Sequence, residues 1–311
     1  ALVTTSPNIP KAIKGDCSYP LHVINSLFGP QAVYIFSYMQ MSRRMLIAGN
    51  RRGMPAIIML GPRNCGKSFF QLHIMTPFLG GRMCMADRFL TGKDMFNGDI
   101  WTAEHIVVGD ATLSTRMTDR RDLGNRIKNI VANEVQSMRA LFKDAIQVTP
   151  FSRLTISLND EFENRMGLPM MDDSIRDKIM LFLVNQVEWP VVALTPEEVS
   201  EFQDAVHAQI PAFCWWLENE FVMPTKLMYD HCTGKPARFC IDCYQSPELV
   251  RGMVETSPEF RLLELIHQCC FIPPTPGSGR KAVESDTLII DPHELESARK
   301  SNDSPVQYDA R

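Results

Sequence analysis

The sequence predicts an α/β fold built on a parallel sheet, and three observations carry that prediction. Short apolar runs at residues 56–60, 105–109 and 153–158 read as strands buried on both faces. Amphipathic stretches separate them, notably 121–133. Of the 311 residues 45% are hydrophobic and 22% charged, enough apolar material for a sizeable core. Strands alternating with helical stretches are the pattern of a parallel sheet with helices on its faces.

Residues 1–20 hold three prolines and little periodicity, and are expected to be an extended lead-in. From 21 to 52 residues recur at helical spacing (Val33, Phe36, Ser37, Gln40, Met41, then Leu46 and Ile47), predicting helices packed on the following domain. The run 56–60 then forms the first strand, and 68–79 the helix after it. Past Pro190 the pattern changes. Thr195-Pro-Glu-Glu198 is a helix start, with a capping threonine, proline in the first turn and acids at the N-terminus, for a helix to about 220. Ser257-Pro-Glu-Phe260 opens another, to about 270. Pro273-Pro-Thr-Pro-Gly-Ser-Gly279 is a linker, and a polar tail with one apolar cluster, Leu288-Ile-Ile290, follows. The expected division is a helical N-terminal segment (1–52), a core (53–192), a mainly helical C-terminal segment (193–272), and a linker with tail (273–311).

The net charge of -4 gives no global basic field, so any nucleic-acid contact must be local. No apolar run approaches the roughly 20 residues that span a bilayer, so no membrane partner is expected. The nine cysteines are scattered and odd in number, which suits a reducing compartment better than a disulfide framework. The cytoplasm of a bacterium or infected host cell is the expected location, or the nucleus if the source is a virus of eukaryotes. The chain begins at Ala1, which suggests a fragment with neighbouring domains.

The chemistry concentrates between the first strand and its helix. Gly61-Pro-Arg-Asn-Cys-Gly-Lys-Ser68, continued by Phe69, has the phosphate-loop spacing of two glycines followed by Lys and Ser. Backbone N–H groups of Gly61, Pro62, Arg63, Asn64, Cys65 and Gly66, proline excepted, would curl around the phosphates of a nucleoside triphosphate, ATP by expectation. Lys67 would reach the β- and γ-phosphates, and the Ser68 hydroxyl would ligate Mg²⁺. Asp110, closing the 105–109 strand, is the candidate second metal ligand and water-polarising acid. Alternatively it is a surface carboxylate. Asn159, closing the third strand, either orients the attacking water or caps its turn. Arg176 either stabilises transition-state charge in a neighbouring subunit's site or pairs with Asp172, Asp173 or Asp177, and spacing alone favours the latter. His231, Cys232, Cys240 and Cys243 hold half of a zinc signature, and the cysteines read more readily as small buried residues.

Together these residues resemble the superfamily 3 helicases, the AAA+-like motors of small DNA viruses, poxviruses and phages. Pro62 and Asn64 sit where papillomavirus-type helicases place them, and Gly109-Asp-Ala-Thr112 is similar to a run that there carries two acids before Ala-Thr. Phe142-Lys-Asp-Ala-Ile-Gln-Val148 resembles their pore hairpin. The stretch from Phe239 through Ser257-Pro-Glu-Phe-Arg-Leu-Leu-Glu-Leu-Ile266 is more similar to poxvirus- and phage-type primase-helicases. The resemblance spans about 50–190, more faintly 190–270. It implies an AAA+-like P-loop NTPase core acting as an ATP-dependent DNA helicase. Subunits would form a homo-oligomeric ring, a hexamer, moving 3′ to 5′ on single-stranded DNA, with a primase domain upstream. Lys67, Asp110, Asn159 and Arg176 would be catalytic, Arg176 acting in trans. Arg139, Phe142 and Lys143 would contact DNA. Lys128, Arg51 and Arg52 fall near positions that reach a neighbour's nucleotide. One departure is Gly109, which stands where the family has an acid, so Glu104 or Asp160 would have to compensate. The rival reading is an AAA+-type switch that assembles or remodels protein or DNA complexes without unwinding. A scaffold that binds nucleotide only structurally is the third, and the full set of Lys67, Asp110, Asn159 and Arg176 argues against it.

Overall fold

The computed structural model describes residues 8–94, 97–109, 113–139, 144–255 and Leu262. Two helices, α1 (Ser18–Phe28) and α2 (Ala32–Ile47), precede the sheet. The Ser18 N–H and hydroxyl both donate to the Asp16 carboxylate at 3.0 Å, so helix begins inside the stretch expected to be extended. Strand β1 (Ala56–Gly61) has every residue buried. The helix after it is continuous but not uniform: α3 (Lys67–Phe69) passes through a π-helical turn (Phe70–Met75) into α4 (Thr76–Phe78). Then come β2 (Met83–Met85), α5 (Asp87–Leu90), β3 (His105–Val108) and α6 (Met117–Ala132). Strands β4 (Gln136–Met138) and β5 (Ile146–Val148) pair antiparallel. They are followed by β6 (Arg153–Asn159), α7 (Phe162–Gly167), β7 (Ile179–Leu183), α8 (Pro196–Asn219) and α9 (Pro247–Glu255).

The main sheet runs β2-β3-β6-β1-β7 with every neighbouring pair parallel. This is the predicted α/β class, with two strands more than the sequence reading named. β7 is as apolar as β1 but ends without the glycine that marks β1 and β3. β2 carries no pattern to find, because Met83 and Met85 are exposed on the sheet edge. The first, second and third predicted strands are β1, β3 and β6. Helix α8 starts as expected: the Glu198 N–H donates to Thr195 Oγ1 at 3.2 Å and the Thr195 N–H returns to Glu198 Oε2 at 3.1 Å, a capping box.

Polar groups tie the N-terminal helices to this frame. Gln40 Nε2 on α2 donates to the Phe221 carbonyl beyond α8 at 2.9 Å, and Arg43 pairs with Glu218. At the start of β6 the guanidinium of Arg153 is fully buried, donates to Ser42 Oγ at 2.9 Å, and lies 4.0 Å over the Phe151 ring. Burial pulls its pKa down to about 10, against the pull of Tyr38.

Residues Ala1–Leu249 form one unit and Val250–Arg311 a second. The helix expected over 257–270, the linker 273–279 and the cluster at Leu288 lie outside the described residues. None of the described helices is long and apolar enough to cross a membrane.

The approach to β1 fixes one small residue. A Cβ on Gly53 would overlap the Val131 carbonyl near the end of α6. Gly53→Ala is expected to lower unfolding free energy by about 1–3 kcal/mol, the usual range for overpacking, in a denaturant titration. Unchanged stability would mean that the segment and α6 separate freely.

Candidate functional site

In a parallel sheet, ligands bind beyond the carboxyl ends of the strands. Here Gly61, the last residue of β1, is level with Asn159, the last of β6. The loop 61–66 leaves that edge and returns into α3. It turns through Asn64 at φ +58° and Gly66 at φ +109°, the left-handed region that glycine occupies without strain. Two further constraints demand bare backbone. A Cβ on Gly61 would strike the Val184 carbonyl and side chain, and one on Gly66 would come within 2.6 Å of Val187 Cγ2.

Those contacts belong to the segment after β7, which braces the loop. The Val184 N–H donates to the Leu60 carbonyl at 2.7 Å, and the Val187 N–H to that of Cys65 at 3.0 Å. Gln186 Nε2 reaches the Asn64 carbonyl at 3.2 Å. The segment is held from behind by α1: the Asn185 N–H donates to the Leu27 carbonyl at 2.8 Å and the Glu188 N–H to Ser26 Oγ at 2.7 Å. Cys65 is buried beneath the loop.

Lys67 is buried, and its ammonium donates to the Gly61 carbonyl at 3.0 Å and the Pro62 carbonyl at 2.6 Å. It also lies 3.4 Å from Asn159 Oδ1. The sequence candidates Lys67 and Asn159 are thus brought together. Above them opens a cleft of about 470 Å³ lined by Arg63, Asn64, Cys65, Gly66, Lys67, Ser68, Phe69, Asn159 and Trp189. Pro62 is exposed beside it, and Arg63 pairs with Glu161 across its rim. Trp189 did not figure among the sequence candidates. No motif marks it, because it is the sheet topology that carries it to the loop.

The acids arrange differently from expectation. Asp110 lies outside the described residues. Glu104 cannot compensate for Gly109: it precedes β3, at the opposite end of the sheet, and pairs with Arg82. Asp160 is at the correct edge, its N–H donating to the Gly61 carbonyl at 2.9 Å, but its carboxylate is held by Arg165 Nη2 at 2.7 Å. An unforeseen acid stands beside Gly109: Asp87 Oδ1, beyond the end of β2, accepts the Gly109 N–H at 3.0 Å. Among the described residues a Cβ at Gly109 would meet Met85 Cε at 3.6 Å, an ordinary van der Waals contact.

Arg176 sits just before β7, whose first residue is level with Ala56. The length of β1, about 17 Å at roughly 3.3 Å per residue, separates that level from the loop. Arg176 therefore lies far from its own chain's cleft. Nor does it make the expected surface pair: among the described residues Asp177 pairs with Lys178 and Arg238, and Asp172 caps Ser174. Its charge acts on Asp230. Burial raises that carboxyl, but bonds from Thr233 and Cys232, with Arg176, bring it below its ordinary value.

Arg139 is exposed at the end of β4, where its N–H donates to Asn97 Oδ1 at 2.6 Å. The rest of the expected hairpin tip, Phe142 and Lys143, lies outside the described residues. Arg51 donates to the Thr149 carbonyl at 2.9 Å, and Arg51 and Arg52 share a cleft with Glu134. The charge of Lys128 acts on Asp172. Among the described residues no group of three or more His, Cys, Asp or Glu is placed to hold a metal. His231 Nδ1 lies 3.0 Å from Asp242 Oδ1, and buried Cys243 donates to the Asp177 carbonyl at 3.0 Å.

Behind the loop lies a buried polar relay that the sequence reading missed. Thr76 Oγ1 donates to the Gln71 carbonyl at 2.9 Å, so at 2.7 Å it accepts from His105 Nδ1. His105 Nε2 then accepts from Thr155 Oγ1 at 2.9 Å, which itself accepts from Gln71 Nε2 at 2.9 Å. The π-helical turn after the loop is thereby locked to β3 and β6, and π-turns concentrate at functional sites.

A family of unknown function (DUF5906) matches residues 59–176, which hold the loop, β3 and β6. No curated protein matches the chain. Among solved structures, the apo C-terminal region (305-718) of NrS-1 superposes with a TM-score of 0.59 at 14% identity, over 83% of this chain and 56% of that one. Its A form gives 0.56 at 13%, over 84% and 56%. The chain thus spans little more than half of the NrS-1 region. JCV helicase bound to a thiazolopyridine acetamide gives 0.39 at 10%, over 80% and 63%. The NrS-1 likeness is one of fold, a mixed α/β molecule with a central parallel sheet and helices.

The buried histidine makes stability depend on pH. Burial lowers the His105 pKa from its ordinary 6.5 to about 3. The unfolded chain therefore binds the proton between those values, and native stability, full above pH 6.5, falls as pH drops toward 3. His105→Gln is expected to flatten this acid limb by up to about 1.4 kcal/mol per pH unit, measured by denaturation at pH 7, 6, 5 and 4. An unchanged slope would assign it to other groups, such as His73, whose pKa burial, then His207, also lowers.

Proposed function

We propose that this chain is an ATP-dependent motor of the superfamily 3, AAA+-like type, hydrolysing ATP with Mg²⁺ to move single-stranded DNA through a homo-oligomeric ring, by expectation a hexamer. The observation that carries the reading is the juxtaposition of Lys67 and Asn159 at 3.4 Å inside a glycine-shaped loop at the carboxyl edge of a parallel sheet. Lys67 holds the β- and γ-phosphates, Ser68 ligates Mg²⁺, and Asn159 orients the attacking water. Asp110 completes the metal site. Asp87, through the Gly109 N–H, supplies the second carboxylate at the end of β3.

The position of Arg176 supports assembly. About one strand length from its own cleft, it serves catalysis only in a neighbouring subunit's site, where its charge stabilises the transferring phosphoryl group. Arg139, with Phe142 and Lys143, grips the DNA backbone. A core over 53–192, flanked by helical segments 1–52 and 193–272 and a tail from 273, suits such a subunit, and a primase domain upstream completes it. Hydrolysis indifferent to DNA would favour the assembly or remodelling switch instead.

Two variants separate the roles. Lys67→Ala is expected to abolish ATP binding. Arg176→Ala is expected to keep the wild-type affinity for nucleotide while losing turnover by about 10³-fold or more, as for other arginine fingers. Equilibrium binding and steady-state hydrolysis, each with and without single-stranded DNA, check both. Wild-type turnover in Arg176→Ala would remove the residue from the mechanism.

A further inference from the structure

We infer that the Trp189 indole is the surface on which the nucleobase of the bound nucleotide stacks; this rests on the nucleotide-binding reading and extends it from the phosphates to the base. Trp189 lines the same cleft as Lys67 and Ser68. It is 38% exposed, and its Cη2 stands 3.6 Å from where a Cβ on Gly66 would be, so the six-membered ring overhangs the loop. An indole left partly in water is poorly used as core, and its π-face suits any base.

The ring is held in place from two sides. Its own segment is bonded to the loop through Val187 and Gln186, and to α1 through Glu188. Phe69 meets it edge-on at 5.0 Å and stacks in turn on Phe202 at 5.6 Å, with Tyr19 edge-on behind at 5.3 Å. An aromatic side chain fixed by a rigid backing costs little further ordering when a ligand arrives. The phosphate loop and the platform are coupled through the same short segment, so triphosphate and base are placed together. The other three tryptophans are elsewhere: Trp101 is buried, Trp215 lies under the Lys14 ammonium, and Trp216 packs with Phe36, Phe213 and Phe221.

The test compares ADP with inorganic pyrophosphate, which has no base, on wild type, Trp189→Ala and Trp189→Phe. ADP is expected to quench the intrinsic tryptophan fluorescence of wild type and not that of Trp189→Ala. Trp189→Ala is expected to weaken ADP binding roughly 5- to 150-fold, the equivalent of ~1–3 kcal/mol of base stacking, and to leave pyrophosphate binding unchanged. Trp189→Phe, which keeps a smaller face, is expected to retain most of the ADP affinity. Equal losses for ADP and pyrophosphate would make Trp189 a prop for the loop and overturn the inference, as would unchanged ADP binding in Trp189→Ala. Failure of wild type to bind either ligand would instead overturn the nucleotide reading, and this inference with it.

Discussion

The candidate site depends on the contact between the loop after β1 and the segment after β7. Two strands that neighbour each other in the sheet deliver two stretches of irregular backbone to the same edge. Such backbone is stable only if its donors and acceptors find partners. Here each stretch supplies the other's: Val184 reaches Leu60, Val187 reaches Cys65, and Gln186 reaches Asn64. The approach is so close that Gly61 and Gly66 admit no side chain. The glycines thus satisfy packing between the loop and the segment after β7.

This contact also explains what the sequence discloses. The spacing of Gly61, Gly66, Lys67 and Ser68 is local, and local patterns survive in a linear reading. So do the buried strands β1, β3 and β6 and the threonine cap of α8, because each follows from neighbouring residues alone. Trp189 and Asp87 are recognisable only once the topology has brought β7 beside β1 and β2 beside β3. The relay through Thr76, His105, Thr155 and Gln71 is likewise assembled from three elements. Glu104 shows the converse error. It is close to Asp110 in sequence, yet a strand separates the two, and β3 carries Glu104 to the far end of the sheet.

The same geometry bears on assembly. The chain holds the phosphate-binding and water-orienting candidates at one end of β1 and Arg176 beyond the other. A parallel sheet is a rigid spacer, so no local rearrangement of one chain closes that distance. If Arg176 is catalytic, the chemistry is divided between copies, and hydrolysis reports on the neighbour as well as on the nucleotide. Division of this kind makes a ring respond as a unit rather than as independent sites.

That division is tested most directly by mixing two inactive variants. On the proposed reading, Lys67→Ala subunits would not hold nucleotide, and Arg176→Ala subunits would not complete a neighbour's site. In mixed rings an Arg176→Ala subunit keeps its own phosphate loop and receives an intact Arg176 from a Lys67→Ala neighbour. Steady-state ATP hydrolysis is predicted to reappear on mixing, with an optimum at intermediate ratios. Hydrolysis that stays absent at every ratio, in mixtures shown to co-assemble, would contradict a site shared between subunits.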